Sequence, residues 1–137
     1  MLTHQYTIVC EFARQESGGK YIIIGLFPNG IGTPVVPFPL PVLTFFQALK
    51  ADSPGQYKVN SKLSRLDTGE VVAGAKAVVQ VQQPGPVILP VPLLNLQLKA
   101  FGTYVWSIEV EGQPEPFVTE LPITHVHQQI RVIPPSF

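Results

Sequence analysis

His125 and His127 are the residues whose type and spacing most directly suggest chemistry in this sequence. Residues two apart on a β-strand point to the same face, so the two imidazoles could bind one metal ion together. Such a site needs a further ligand, and no spacing rule places the remaining histidine, His4, beside them. The pair is interpreted either as part of a metal or small-ligand site or as the solvated polar face of a terminal segment.

Cys10 is the only cysteine and the first candidate for a nucleophile. It cannot form an internal disulfide, as expected of a protein in a reducing compartment. Alternation along the first predicted strand groups Cys10 with Tyr6, Ile8 and Phe12 on the face that we expect to point inward. A cysteine buried among apolar side chains is a small unreactive hydrophobe, so the sequence predicts no nucleophilic role.

No other pattern matches a known catalytic arrangement. The serines stand in neither a G-x-S-x-G elbow nor an S-x-x-K pattern. Gly30 and Gly32 lie in a predicted loop that no helix follows, so they do not form a phosphate-binding turn. The nine acidic residues are scattered over predicted turns and strand faces. We expect a non-enzymatic protein with no catalytic residues and no cofactor.

Charge and composition limit the kinds of partner. Charged residues make up 13% of the chain, and nine basic residues balance nine acidic ones. Nucleic acids and anionic membrane surfaces both require a basic surface, which this composition does not supply. Residues 1–20 lack the apolar core of a signal peptide, and no apolar run is long enough to span a membrane. The sequence predicts a cytoplasmic protein that contacts other proteins or copies of itself, because a charge-poor surface resists self-association weakly.

Alternation with a period of two runs through the chain and predicts strands. The fifteen prolines are poorly compatible with helices. Turn signals separate about eight predicted strands, at 6–12, 20–27, 42–49, 56–66, 71–82, 94–98, 104–110 and 117–123, with a loop at 28–34. This series predicts an all-β, single-domain β-sandwich of immunoglobulin-like or related type over 1–127, with a C-terminal tail over 128–137 that is extended or bound to a partner.

Two of these strands give specific predictions for the core. Leu94, Leu96 and Leu98 are expected to share one face of their strand. In the next strand Trp106 falls on the inward face with its apolar neighbours two residues away. A carbohydrate site built on the ring of Trp106 is therefore not favoured.

One motif occurs twice and predicts two sharp corners. Leu-Lys-Ala, a turn and then Gly-x-Tyr are found at 49–57 and again at 98–104. Gly55 and Gly102 would allow a positive φ, while Tyr57 and Tyr104 would bury their rings and bind nearby backbone through their hydroxyls, as corner tyrosines do in sandwich folds. The two copies are either equivalent strand–corner–strand units or a coincidence among common β-sheet residues.

Two apolar, proline-rich segments, 33–43 and 84–94, are candidates for contact with a partner. Prolines favour an extended backbone that presents side chains outward, although the segments could equally cover the edges of their own core. The tail could pair with the sheet edge of a neighbouring subunit. The residues predicted to make these contacts are Val36, Phe38, Leu40, Val87, Ile88, Leu89, Ile130 and Val132.

Three stretches, at 10–27, 61–72 and 101–123, share features with a known family. A cysteine–glutamate start, a lysine before an apolar strand that ends in glycine, and a late Gly-x-Tyr strand resemble a family of small bacterial proteins of unknown function. The resemblance implies a β-sandwich from a bacterial or phage-related source and supplies no catalytic residues. We therefore predict a protein-interaction or assembly module, self-associating or part of a larger assembly; the alternative is a metal- or small-ligand-binding sandwich that uses His125 and His127.

Overall fold

Nine β-strands make up the described part of the chain, which in this computed structural model is residues 1–126 and Pro135. That part contains no helix, and so none long and apolar enough to cross a membrane. The strands are β1 (Leu2–Gln15), β2 (Tyr21–Leu26), β3 (Ile31–Thr33), β4 (Phe38–Ala51), β5 (Gly55–Arg65), β6 (Val71–Val81), β7 (Gly85–Leu98), β8 (Gly102–Val110) and β9 (Phe117–His125).

The strands form two sheets that pack face to face, which confirms the predicted all-β sandwich. The first sheet has the order β2-β1-β4-β7 and the second has the order β3-β9-β8-β5-β6. Neighbouring strands are antiparallel except β3 and β9, which are parallel. β3 lies within the predicted loop at 28–34 and was not expected, because three residues are too few to show an alternating pattern.

Two hydrogen-bonded side chains, Trp106 and Gln47, lie at the centre of the core. Phe45 of the first sheet and Trp106 of the second stack with their ring centroids 4.1 Å apart. The indole Nε1 of Trp106 donates a hydrogen bond of 2.7 Å to Oε1 of Gln47, and both residues are fully buried. The amide Nε2 of Gln47 in turn donates to the carbonyls of Phe45 and Leu89 at 3.4 Å. The inward position predicted for Trp106 is confirmed, and every polar group of the pair has a partner.

The first strand faces the opposite way from the prediction. Val9 pairs with the core residue Phe45 and is itself buried, so it points between the sheets. By alternation Ile8 and Cys10 point to the outer face of the first sheet. The prediction was wrong because both sets of side chains in this strand contain apolar residues, and the period alone does not say which set faces the second sheet.

Cys10 is nevertheless buried, because the β1–β2 hairpin folds over the outer face of the first sheet. The ring of Tyr21 contacts the ring of Phe46 edge-on, with centroids 5.1 Å apart. Tyr21 pairs with Gln15, whereas Phe46 pairs with Ile8, about 23 Å earlier in an extended strand. Only a hairpin that curves back across the sheet brings these two rings together.

The proline-rich segments belong to two strands that pair with each other, and Val42–Leu94 and Leu43–Leu93 are the pairs that join the segments directly. β4 begins at Phe38 and β7 at Gly85, and the two strands pair along their whole length. Pro86, Pro90 and Pro92 lie an even number of residues apart, so their nitrogens all point to one side of β7. Because the pairing with β4 runs through these positions without a break, that side is the free edge of the sheet. The prolines therefore remove hydrogen-bond donors from an edge that would otherwise pair with another chain.

The predicted common face of Leu94, Leu96 and Leu98 is corrected by the structure. Leu96 and Leu98 are buried, whereas Leu94 is 69% exposed. Asn95 has a φ of 52°, a left-handed conformation that asparagine tolerates better than most residues. This conformation interrupts the alternation of side chains between Leu94 and Leu96.

Both Gly-x-Tyr motifs form corners with the same hydrogen bond. Each corner carries the chain from the first sheet to the second, from β4 to β5 and from β7 to β8. Gly55 and Gly102 have φ values of 149° and 124°. The hydroxyl of Tyr57 donates to the carbonyl of Ser53 at 2.8 Å, and that of Tyr104 donates to the carbonyl of Ala100 at 3.2 Å. In both corners the acceptor lies four residues before the tyrosine.

Removing these hydroxyls is expected to lower stability more at the buried corner than at the exposed one. Tyr104→Phe is expected to lower the free energy of unfolding by about 1 kcal/mol, because the ring of Tyr104 is 1% exposed and its hydroxyl bond is partly buried. Tyr57→Phe should cost less, since water can replace the exposed bond. Urea unfolding followed by circular dichroism measures both, and a larger loss for Tyr57→Phe would contradict this assignment.

Candidate functional site: an apolar surface on the β1–β2 hairpin

The structure separates two of the three histidines. His125 is exposed at the end of β9, where its ring contacts Phe101 edge-on with centroids 5.4 Å apart. His4 stacks on Phe117 at the start of β9, with centroids 5.5 Å apart. The nine residues of β9 span about 26 Å, so His4 cannot supply a metal ligand beside His125. His127 lies outside the described residues.

His4 has a structural environment of its own. Its Nε2 lies 2.7 Å from Oγ1 of Thr7, and its half-buried position lowers the pKa of the imidazole below the usual value. In the described part of the chain no three histidine, cysteine, aspartate or glutamate side chains come together as a metal site would require. The two-histidine motif thus stays a prediction, with one of its members outside the described residues.

Cys10 is placed where a thiol is least reactive. Its side chain is fully buried, and burial raises the pKa of the thiol above its usual value. A raised pKa keeps the sulfur protonated at neutral pH, and the thiolate is the reactive form. These observations support a packing role for Cys10.

The predicted contact residues in the proline-rich segments are largely held by the core. Leu40 is buried, and Phe38, Val87 and Leu89 pack partly against the core cluster. Val36 and Ile88 are half-buried. These positions fit the alternative that the two segments cover their own core. The remaining residues predicted to make contacts, Ile130 and Val132, lie outside the described residues.

Four exposed apolar side chains lie on the β1–β2 hairpin. Phe12 and Ile24 are direct cross-strand partners, 42% and 49% exposed. Ile22 lies two residues before Ile24 and is 38% exposed, and Leu26, which follows the positive φ of Gly25 at the end of the strand, is 57% exposed. We call these four residues the apolar hairpin surface. Folding of the hairpin over the first sheet, marked by the Tyr21–Phe46 contact, leaves their side chains in solvent.

The size of the apolar hairpin surface is that of the largest apolar patch on an ordinary monomer. At about 200 Å² for a fully exposed large apolar residue, its exposed fractions correspond to a patch on the order of 400 Å². The largest apolar patch on an ordinary monomer is of this order and often functional. The apolar hairpin surface is therefore the candidate interaction site of this protein.

Polar residues surround the apolar hairpin surface without giving it a net charge. Arg14 pairs across the strands with Ile22, and its guanidinium donates to Oε1 of Glu16 at 2.8 Å. The side chain of Glu11 lies against Gly25, next to Leu26. With Lys20 directly before β2, the rim has two cations and two anions. A rim of balanced charge does not repel an identical copy of itself.

β2 is also the sheet edge with the least protection against contact. Of the edge strands in the described chain, β3 has only three residues, β7 carries three prolines and β6 carries Lys76. These features are the usual protections of an exposed edge. β2 contains neither proline nor charge, although the positive φ of Gly25 ends its regular part after Ile24. Because the regular part of this edge is short, the side chains of β2 are better placed than its backbone to contact a partner.

The sequence contained a signal for this surface that alternation did not reveal. KYIIIGLF is apolar on both faces, which predicts a central strand covered on both sides. The structure places it at an edge instead. An apolar strand that lies at an edge exposes one of its faces, and neighbouring strands are not visible in the local sequence.

The model of a family described as a family of unknown function, DUF6941, matches residues 5–125. No curated protein matches the chain.

Proposed function

The chain belongs to the DUF6941 family of unknown function, and from its structure we propose that the protein is an interaction module that self-associates through the apolar hairpin surface. The observation that carries this proposal is the exposure of four large apolar side chains, Phe12, Ile22, Ile24 and Leu26, on one hairpin of an unprotected edge. No catalytic residue is assigned.

A second copy of the chain suits the area and the charge of this surface. A standard interface buries about 800 Å² on each partner, of which a little over half is apolar. The apolar hairpin surface supplies an apolar area of about that share, on the order of 400 Å². The balanced rim of Arg14, Lys20, Glu11 and Glu16 supplies polar groups that complement themselves across a two-fold axis.

A single charge at the centre of the surface tests the proposal. Ile24→Lys is expected to raise the dissociation constant of the self-associated form at least about 30-fold, because it buries an unpaired ammonium at the centre of the contact. Light scattering and sedimentation over a concentration series measure this constant for the full-length chain. Val118→Lys is the control, since Val118 is 55% exposed on β9 of the other sheet.

Two results would contradict the proposal. A wild-type chain that stays monomeric over the whole concentration series would exclude self-association. Equal weakening by Ile24→Lys and Val118→Lys would place the contact elsewhere. Circular dichroism spectra of both variants show whether each retains the strand content of the wild type, as expected for substitutions of exposed side chains.

A further inference from the structure

A groove lies on the outer face of the second sheet, whereas the apolar hairpin surface belongs to the first sheet. Its volume is about 730 Å³, within the range of sites that bind small molecules. Strands β5, β6 and β8 form its floor, and the turn after β8 forms one wall. The side chains central to its chemistry are Lys58, Asn60, Lys76, Glu109, Glu111 and Gln113.

The wall of the groove is fixed to the rest of the fold. The backbone N–H of Glu111 donates to the carbonyl of Lys58 at 2.9 Å. The side chain of Gln113 makes two bonds to the backbone of Leu2, accepting from its N–H at 2.7 Å and donating to its carbonyl at 3.0 Å. Because the wall is already fixed, ligand binding does not have to order it, and this favours affinity.

Three polar side chains stand in a row across the floor. Asn60 pairs with Lys76 on one side and with Glu109 on the other. Directly paired residues point to the same face of a sheet, so all three project into the groove. Paired Cα atoms are about 5 Å apart, which places the backbone of Lys76 about 10 Å from that of Glu109. The row therefore presents a cation, an amide and an anion in that order.

Both charges of the row are available to a ligand. Lys76 takes part in none of the ion pairs found among the described residues. The nearest cation to Glu109 is Nζ of Lys62 at 3.8 Å, and the two side chains are about half exposed. An ion pair of this length and exposure contributes little and exchanges readily with another partner.

We propose that this groove binds a short peptide with free ends, of about dipeptide length. A ligand that satisfies all three side chains carries a carboxylate, an amide and an ammonium in that order. A dipeptide is the shortest peptide with this order of groups, whereas a single amino acid has no amide between its charges. Lys76 binds the carboxylate, Glu109 binds the ammonium, and the amide of Asn60 bonds the peptide group between them.

Alanyl-alanine and its capped forms are the probes for this site. Titration of the full-length chain, followed by backbone amide NMR signals, should show saturable shifts on β5, β6 and β8. N-acetyl-alanyl-alanine and alanyl-alanine amide should each bind at least about tenfold more weakly, because each lacks one of the two charges. Binding that is unaffected by either cap would overturn the proposal, as would the absence of saturable shifts at concentrations on the order of 50 mM.

Paired variants distinguish direct recognition from structural damage. Glu109→Gln should weaken the binding of alanyl-alanine at least about tenfold. It should leave the binding of the N-acetyl form unchanged, because that form has no ammonium for Glu109 to bind. Lys76→Met should likewise weaken binding of alanyl-alanine but leave binding of the amide form unchanged, because that form has no carboxylate. Glu120→Gln, outside the row on β9, is the control and should not alter binding. If Glu109→Gln weakens the N-acetyl form equally, Glu109 does not bind the ammonium and the proposal fails.

The groove and the apolar hairpin surface are tested independently. Ile24→Lys should leave dipeptide binding unchanged, because Ile24 lies on the first sheet and does not line the groove. Loss of self-association and loss of dipeptide binding are therefore separate outcomes.

Discussion

Replacing Trp106 with alanine is expected to lower the free energy of unfolding by about 5 kcal/mol, which is the largest effect of any single substitution considered for this protein. Removal of a buried tryptophan ring leaves a cavity beside Phe45, and such truncations cost about 3–5 kcal/mol. The buried Oε1 of Gln47 also loses its donor, which costs about 1–3 kcal/mol more. Small domains have a total stability of about 5–15 kcal/mol, so this loss removes about a third or more of it.

Far-ultraviolet circular dichroism during urea unfolding measures this loss, because the only tryptophan is no longer available for fluorescence. Trp106→Phe is the matched variant: it keeps an aromatic ring against Phe45 and removes mainly the N–H donor, at a cost of about 2 kcal/mol. Gln47→Leu should cost less in the Trp106→Phe background than in the wild type, since Oε1 of Gln47 has already lost its donor. Fully additive losses would show that the two side chains are not coupled.

Gly30→Ala is expected to lower the free energy of unfolding by about 3 kcal/mol or more, through a clash with fixed backbone. A β-carbon at position 30 would overlap the carbonyl oxygen of Pro122 and lie 3.0 Å from its Cδ. Gly30 also has a φ of 91°, a conformation that residues with a side chain rarely adopt. Pro122 belongs to β9, which pairs with the short strand that follows Gly30, so relief of the clash would disturb this pairing.

Gly18→Ala supplies the matched control for this substitution. Gly18 has nearly the same φ, 89°, but nothing lies within 4 Å of the position of its β-carbon. Its replacement should therefore cost only the conformational strain, about 1–2 kcal/mol. Urea unfolding of the two variants isolates the contribution of the clash as the difference between them. Equal losses would mean that the backbone around Pro122 adapts without cost.

Several features of the fold could be predicted because they depend on local sequence. Alternation indicated an all-β sandwich, and it placed Trp106 inside the core. Both Gly-x-Tyr motifs were recognisable from residue type and spacing, and in the structure Tyr57 and Tyr104 each bond the carbonyl four residues earlier. These predictions need only the geometry of a strand or a turn and do not require knowledge of which strands are neighbours.

The candidate sites were not predictable in the same way. The apolar hairpin surface depends on the edge position of β2 and on the folding of the hairpin over the sheet, both of which follow from contacts between distant parts of the chain. The row in the groove depends on the pairing of three strands that separate Lys76, Asn60 and Glu109 in sequence. The orientation of β1 was predicted wrongly for the same reason: alternation does not say which face meets the second sheet.

The sequence by itself determined that this chain forms strands and, where the alternation is regular, which side chains share a face within one strand. These properties follow from backbone geometry and from the preferences of proline, glycine and the apolar residues. Only the tertiary structure decided which apolar faces are covered and which polar side chains become neighbours. Exposure of Phe12 and Ile24, like the alignment of Lys76 with Glu109, arises from strand order and register, which are set by the packing of the whole sandwich.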